Sequence, residues 1–122
     1  MARKKNSHNA HLQFNEATRL RVYKRDGAEC LFCRLQYHMH CTDPMQLEIK
    51  DIMHYINKSA GGLGVEQNGV LGCRYHHGLL DNGNRGLRSE MLEIMRNYLK
   101  EQYSGWDEED LYYSKWKGFL YQ

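Results

Sequence analysis

Apolar positions recur at helical spacing toward both ends of this 122-residue chain and at strand spacing in its middle, a pattern that predicts an α+β fold. Residues 1–13 hold almost no apolar anchor and read as a flexible basic arm. Asn15 can cap a helix through about Arg25, with Ala17, Leu20 and Tyr23 near helical spacing and Asp26-Gly27 as its stop. Its Arg19, Arg21, Lys24 and Arg25 are expected to stay in solvent. Residues 34–45 are polar, contain the only proline, Pro44, and read as a loop. Leu47, Ile49, Ile52 and Ile56 then predict a strand over about residues 47–56, and Val70-Leu71 a short second strand beyond a glycine-rich crossing at residues 59–64. Helical pattern resumes near Tyr75 and stops at Asn82-Gly83. Ser89 can cap a further helix whose Met91, Met95, Tyr98 and Leu99 make a buried stripe. Trp106, Leu111, Tyr112, Tyr113, Trp116 and Phe119 are too aromatic for a disordered tail and are expected to fold back. The organisation read from this is an arm at residues 1–13, a core at residues 14–86, and a C-terminal helical, aromatic-rich extension at residues 87–122.

A domain of this length buries limited apolar surface, so a metal or other staple is expected. The four cysteines have that role to fill. No apolar signal-peptide core follows the basic N-terminus and no run approaches membrane-spanning length, so a disulfide scaffold is disfavoured and a reducing cytoplasm is expected, with no membrane partner. Formal charge is +2, unevenly spread. Residues 1–36 carry eight Lys or Arg against three acids, whereas the last 22 residues carry two Lys against five acids. Contact with nucleic acid is therefore expected at the front of the chain, with moderate, salt-sensitive affinity.

Cys30-x-x-Cys33 and Cys73-x-x-His76 are two pairs whose spacing lets each reach one ion, and together they predict a Cys₃His structural zinc with no open position for water. Cys41, with His38 and His40 beside it, reads as part of a solvated loop. His54 is suited to be a general base at neutral pH. His77 lies four residues before Asp81, so both side chains share a helix face and are candidates for a magnesium or manganese ion, while His76 points roughly 100° away toward zinc. Asn68 is placed either to orient the loop of the base or to approach the ion. Taken singly, these are an ordinary strand histidine, a turn former and a solvated helix acid; their order around a zinc box points to phosphodiester chemistry.

Arg21-Val22-Tyr23-Lys24-Arg25-Asp26-Gly27, Cys30-x-x-Cys33, His54, Gly61-Gly62, Asn68 and Cys73-x-x-His76-His77 resemble the zinc-containing HNH endonucleases over roughly residues 19–83. The resemblance implies a small ββα-metal (His-Me finger) core stapled by a zinc knuckle, with flanking N- and C-terminal helices. It implies His54 as general base, His77 as metal ligand and Asn68 as positioning residue, in an enzyme that hydrolyses DNA to leave a 5′-phosphate. The short form with an aromatic tail looks most like HNH proteins of bacteriophages and prophages, acting in the host cytoplasm. Lys50, Lys58, Arg74 and Arg85 flank the motif and are candidate phosphate contacts.

The chain departs from the family where Met53 stands in place of an Asp or His metal ligand, and a thioether is a poor ligand for a hard ion. Asp51 lies about 6.6 Å along the same strand face and is expected to replace that ligand only through a bulge. Met53→Asp or Met53→His is accordingly expected to strengthen metal binding. The rival readings are a catalytically weak zinc module that binds DNA or a protein, and an accessory nuclease of a phage packaging complex.

Overall fold

The computed structural model describes residues 7–82 and 86–114. Four helices precede the sheet: α1 (Ser7–Leu12), α2 (Glu16–Arg25), α3 (Leu31–Arg34) and α4 (Pro44–Glu48). Strands β1 (Lys50–His54) and β2 (Gly69–Cys73) follow, then α5 (Arg74–Asp81) and α6 (Arg88–Gln102). Short 3₁₀ turns occupy Lys58–Ala60, Glu66–Asn68 and Glu108–Leu111. The architecture is mixed α+β around a two-stranded antiparallel sheet. No described helix is long and apolar enough to cross a membrane.

The β1–β2 register runs unbroken from Lys50↔Cys73 to His54↔Gly69. Because side chains alternate across a strand, the facing pair Ile52 and Leu71 and the facing pair Met53 and Val70 lie on opposite sides of the sheet. Ile52 and Leu71 pack with Val22 of α2, flanked by Phe14 and Tyr23. Met53 and Val70 join Phe32, Leu80, Met91, Met95 and Leu99 in the larger core beneath α3, α5 and α6. Each such buried side chain contributes roughly 1.5–3 kcal/mol, enough in sum to hold helices on both faces of so small a sheet.

α2 starts where expected, with Asn15 accepting from the Thr18 amide at 2.8 Å. Its end is more interesting than its pattern indicates, because Arg25 is not in solvent. Only 11 % of the Arg25 side chain is exposed; it donates to the carbonyls of Glu66 and Gly69 and pairs with Asp26 at 2.7 Å. Asp26, itself buried, accepts from the Leu71 amide at 2.8 Å and from the Tyr98 hydroxyl. The pair therefore ties α2, β2 and α6 together through charge-assisted hydrogen bonds, which explains why two adjacent charges can be sequestered.

Several expectations are corrected here. Residues 44–48 form α4 rather than loop or strand, because Asp43 accepts from the Met45 amide and Pro44 sits in the first turn, where its missing N–H costs nothing. The strand is correspondingly shorter. The arm is not free throughout: residues 7–12 are helical and Leu12 is buried. α6 begins at Arg88 after Leu87, without a side-chain cap, so Ser89 lies inside it. Trp106, Leu111 and Tyr112 fold back on the core, with the Trp106 indole donating to the Gln67 carbonyl at 2.8 Å. Trp116 and Phe119 lie outside the described residues.

Candidate functional site

Cys30 and Cys33 stand at the start of α3, and Cys73 and His76 at the start of α5, because β2 runs straight into α5 beneath the knuckle. Their four ligand atoms lie within 4.8 Å of one another, close enough to bind a metal such as zinc. His76 Nδ1 is 3.5 Å from Cys30 Sγ, 3.6 Å from Cys33 Sγ and 3.3 Å from Cys73 Sγ, and Cys33 Sγ is 3.7 Å from Cys73 Sγ. Ligands on a tetrahedral zinc with bonds near 2.3 Å are separated by roughly 3.8 Å, so the set is nearly of the right size. His76 Nε2 donates to the Tyr37 carbonyl at 2.6 Å, which fixes Nδ1 as the nitrogen facing the sulfurs. The hydrogen bond between Cys30 and Cys73 holds the Cys73 thiol below its ordinary range against the effect of burial, and the same bond pushes Cys30 up. Cys41 is apart from this group, its thiol on the Asp43 carbonyl.

His77, next to His76, turns to the other side of α5. It lines a groove of about 410 Å³ with His54, Lys58, Arg19 and Asp81. A second groove, on which Asp51 and Arg74 open, shares Arg19, Ile52, His77 and Asp81 with the first, so the two make one trough. His77 Nδ1 is 3.2 Å from Asp51 Oδ2, and its Nε2 is 3.4 Å from Asp81 Oδ2. The two nitrogens of an imidazole diverge, so one ion cannot take both pairs. Asp81 shares the groove of His54 and Asp51 does not, which makes Nε2 with Asp81 the pair available to an ion facing His54. Asp51 is placed to accept a proton from Nδ1 and so to orient the ring, the arrangement found behind many metal-binding histidines. Burial raises the Asp51 carboxyl, but hydrogen bonds from Arg74 and His77 outweigh it and hold the group below its ordinary range. The strand is unbroken, so the bulge that would bring Asp51 to the expected ligand position is absent; Asp51 instead meets His77, because α5 folds back directly from β2 over the Asp51 end of β1. Met53 has no exposed surface and faces the core, so it is not a vacant ligand position at all.

His54 ends β1. Its Nε2 lies 2.9 Å from the Leu12 carbonyl, which can only accept, so Nε2 carries the proton and Nδ1 the lone pair in the neutral ring. Burial lowers its pKa, opposed by that hydrogen bond and assisted by Lys58 and His77. Asn68 is fully buried: it accepts from the Ile56 amide at 2.8 Å and donates to the carbonyls of Ile56 and Leu63. It therefore clamps the chain leaving His54, and the alternative of a direct approach to an ion is overturned. The glycine pair allows this tight loop, since a Cβ at Gly62 would stand 1.8 Å from the Ile56 carbonyl oxygen.

The expected phosphate contacts divide. Lys58 lines the groove. Arg74 is tied to Asp51 at 3.0 Å. Lys50 is turned away, its ammonium on the carbonyls of Leu47 and Glu48 at the end of α4. Arg85 lies outside the described residues. Arg19 was expected only as a solvated helix charge, yet it lines both parts of the trough. Its helical spacing from the buried Val22 carries no sign of this; the placement comes from how α2 crosses the sheet. Neither a family model, nor a curated protein, nor a solved structure matches the chain.

Proposed function

We propose that the chain is a metal-dependent DNA endonuclease of the zinc-containing HNH type, with β1, β2 and α5 as its ββα-metal unit. The observation that carries this reading is the trough in which His54 and the His77–Asp81 pair line one groove, while Asp51 holds the far nitrogen of His77. Hydrolysis of a phosphodiester needs a base for water, positive charge at the leaving oxygen, and groups that keep both in line. His54 Nδ1 takes the proton from the attacking water. Its lowered pKa keeps it neutral at pH 7, and Asn68 holds its loop in place. His77 Nε2 and Asp81 are the residues that would hold a magnesium or manganese ion, whose charge would stabilise the oxygen leaving phosphorus. Arg19 and Lys58 bind phosphate oxygens of the backbone and fix it in the trough. At the opposite face of α5, the Cys₃His group holds zinc as a staple, keeping the start of the helix, and so His77, in register with β1.

Supercoiled plasmid separates this reading from a zinc module that only binds. Zinc-loaded protein is expected to nick it with magnesium or manganese, and a chelator that spares the zinc is expected to stop the reaction. Intact plasmid across millimolar concentrations of both ions, with zinc bound and DNA retained, contradicts the proposal.

A further inference from the structure

We infer that residues 11–14 act as a positioning strap for His54, fixing which of its ring nitrogens carries the proton and where the ring points. This rests on His54 being the base. Two contacts reach the ring from this segment: the Leu12 carbonyl on Nε2 at 2.9 Å, and the Phe14 ring, whose centroid is 4.3 Å from that of His54 at a tilt of 38°. Together they restrict the imidazole both in rotation and in tautomer, leaving Nδ1 as the nitrogen able to take a proton.

The strap is itself clasped. The Gly64 amide donates to the His11 carbonyl at 2.9 Å, and a Cβ at position 64 would stand 2.1 Å from the Gln13 carbonyl oxygen. Only glycine lets the two backbones approach so closely. On its outer side His11 lies against Tyr113, with ring centroids 5.2 Å apart, and the Tyr113 amide donates to the Gly61 carbonyl at 2.7 Å. Leu12, 3 % exposed, anchors the segment from within. The segment is thus pinned by the glycine loop that leaves the base and by the chain that follows α6. Packing alone would be satisfied by Leu12; the carbonyl on Nε2 and the ring on the imidazole act on the base.

The test uses the full-length, zinc-loaded protein with ¹⁵N-labelled histidine and reads the His54 tautomer by long-range proton–nitrogen correlation. Wild type is expected to show His54 protonated at Nε2 alone when neutral. Gly64→Ala, which displaces the strap without touching His54, and the milder Phe14→Leu, which keeps apolar packing, are expected to show mixed tautomers. Both should lose about tenfold or more in kcat with KM within about twofold, at unchanged zinc content, because positioning of the base is lost and DNA contacts are kept. Phe14→Tyr, which keeps the ring against the imidazole, should keep the wild-type tautomer and rate. Mixed tautomers in wild type, or wild-type tautomer and kcat in both variants, would overturn the strap. Full cleavage by His54→Ala, in contrast, would remove the reading of His54 as base while the tautomer measurement still decides the strap.

Discussion

His54 can serve as a base only while it is neutral, and its burial favours that form. Its pKa is lowered from the ordinary value of 6.5. The protonated fraction therefore grows only as pH falls below that value, so the acidic limb of kcat/KM is expected below pH 6.5; a limb at or above it would contradict the assignment. The sign for stability is the same: the unfolded chain takes up the proton first, so this contribution is present above pH 6.5 and is lost as pH falls toward the lowered value. Met53 makes the opposite case, a residue whose place in the resembled motif suggests a ligand and whose surroundings forbid one. It is fully buried, and its Sδ would lie 2.4 Å from a Cβ at Gly72. Met53→Asp thus places a carboxylate in the core and is expected to cost about 3 kcal/mol or more. A lowered melting temperature with no gain in metal affinity is the outcome expected, in place of the strengthened site that the motif suggests; a manganese titration of cleavage checks it.

Among the elements, the single turn α3 and the start of α5 meet at the Cys₃His group as well as in the shared core of Leu31, Phe32, Leu79 and Leu80. Cys30→Ser with Cys33→Ser removes half of the ligands of a site that can contribute about 10 kcal/mol or more, comparable with the stability of a whole domain. The double variant is expected to lose its cooperative thermal transition and its zinc; retention of both would refute the staple. The second junction is Asp26, which accepts from Arg25, Leu71 and Tyr98. Asp26→Ala leaves the Arg25 guanidinium without its carboxylate in a largely buried position, with an expected loss of about 3–5 kcal/mol in denaturant unfolding. These junctions show what a sequence can and cannot disclose. The ligand spacing of the cysteines is local and legible, as are the capped start of α2 and the stripe of α6. Asp43-Pro44 was a legible helix start too, but its polar surroundings resemble a loop. Burial of Arg25, the Asp51 contact to His77 and the placement of Arg19 depend on how distant segments cross, and nothing in their local pattern encodes that.

At the scale of the molecule, the sheet divides two cores and its His54 end meets the N-terminal segment, α2 and α5 at the trough. One face of α5 closes the Cys₃His group and the other carries His77 and Asp81, so a single helix couples the staple to the candidate chemistry. Under the proposed function that coupling separates two classes of variant: loss of the cysteines is expected to remove fold and cleavage together, whereas loss of His54 is expected to remove cleavage alone. His54 is half-buried at a strand end and belongs to neither core cluster, so exchange of its ring for a methyl is expected to loosen only its contacts with Leu12 and Phe14. The most direct measurement is therefore the single-turnover rate of plasmid cleavage by wild type and by His54→Ala at equal zinc content, in saturating manganese. A wild type that cuts and a variant slowed by about 10² or more, with melting nearly unchanged, is the predicted result. Equal rates in the two proteins would contradict the account.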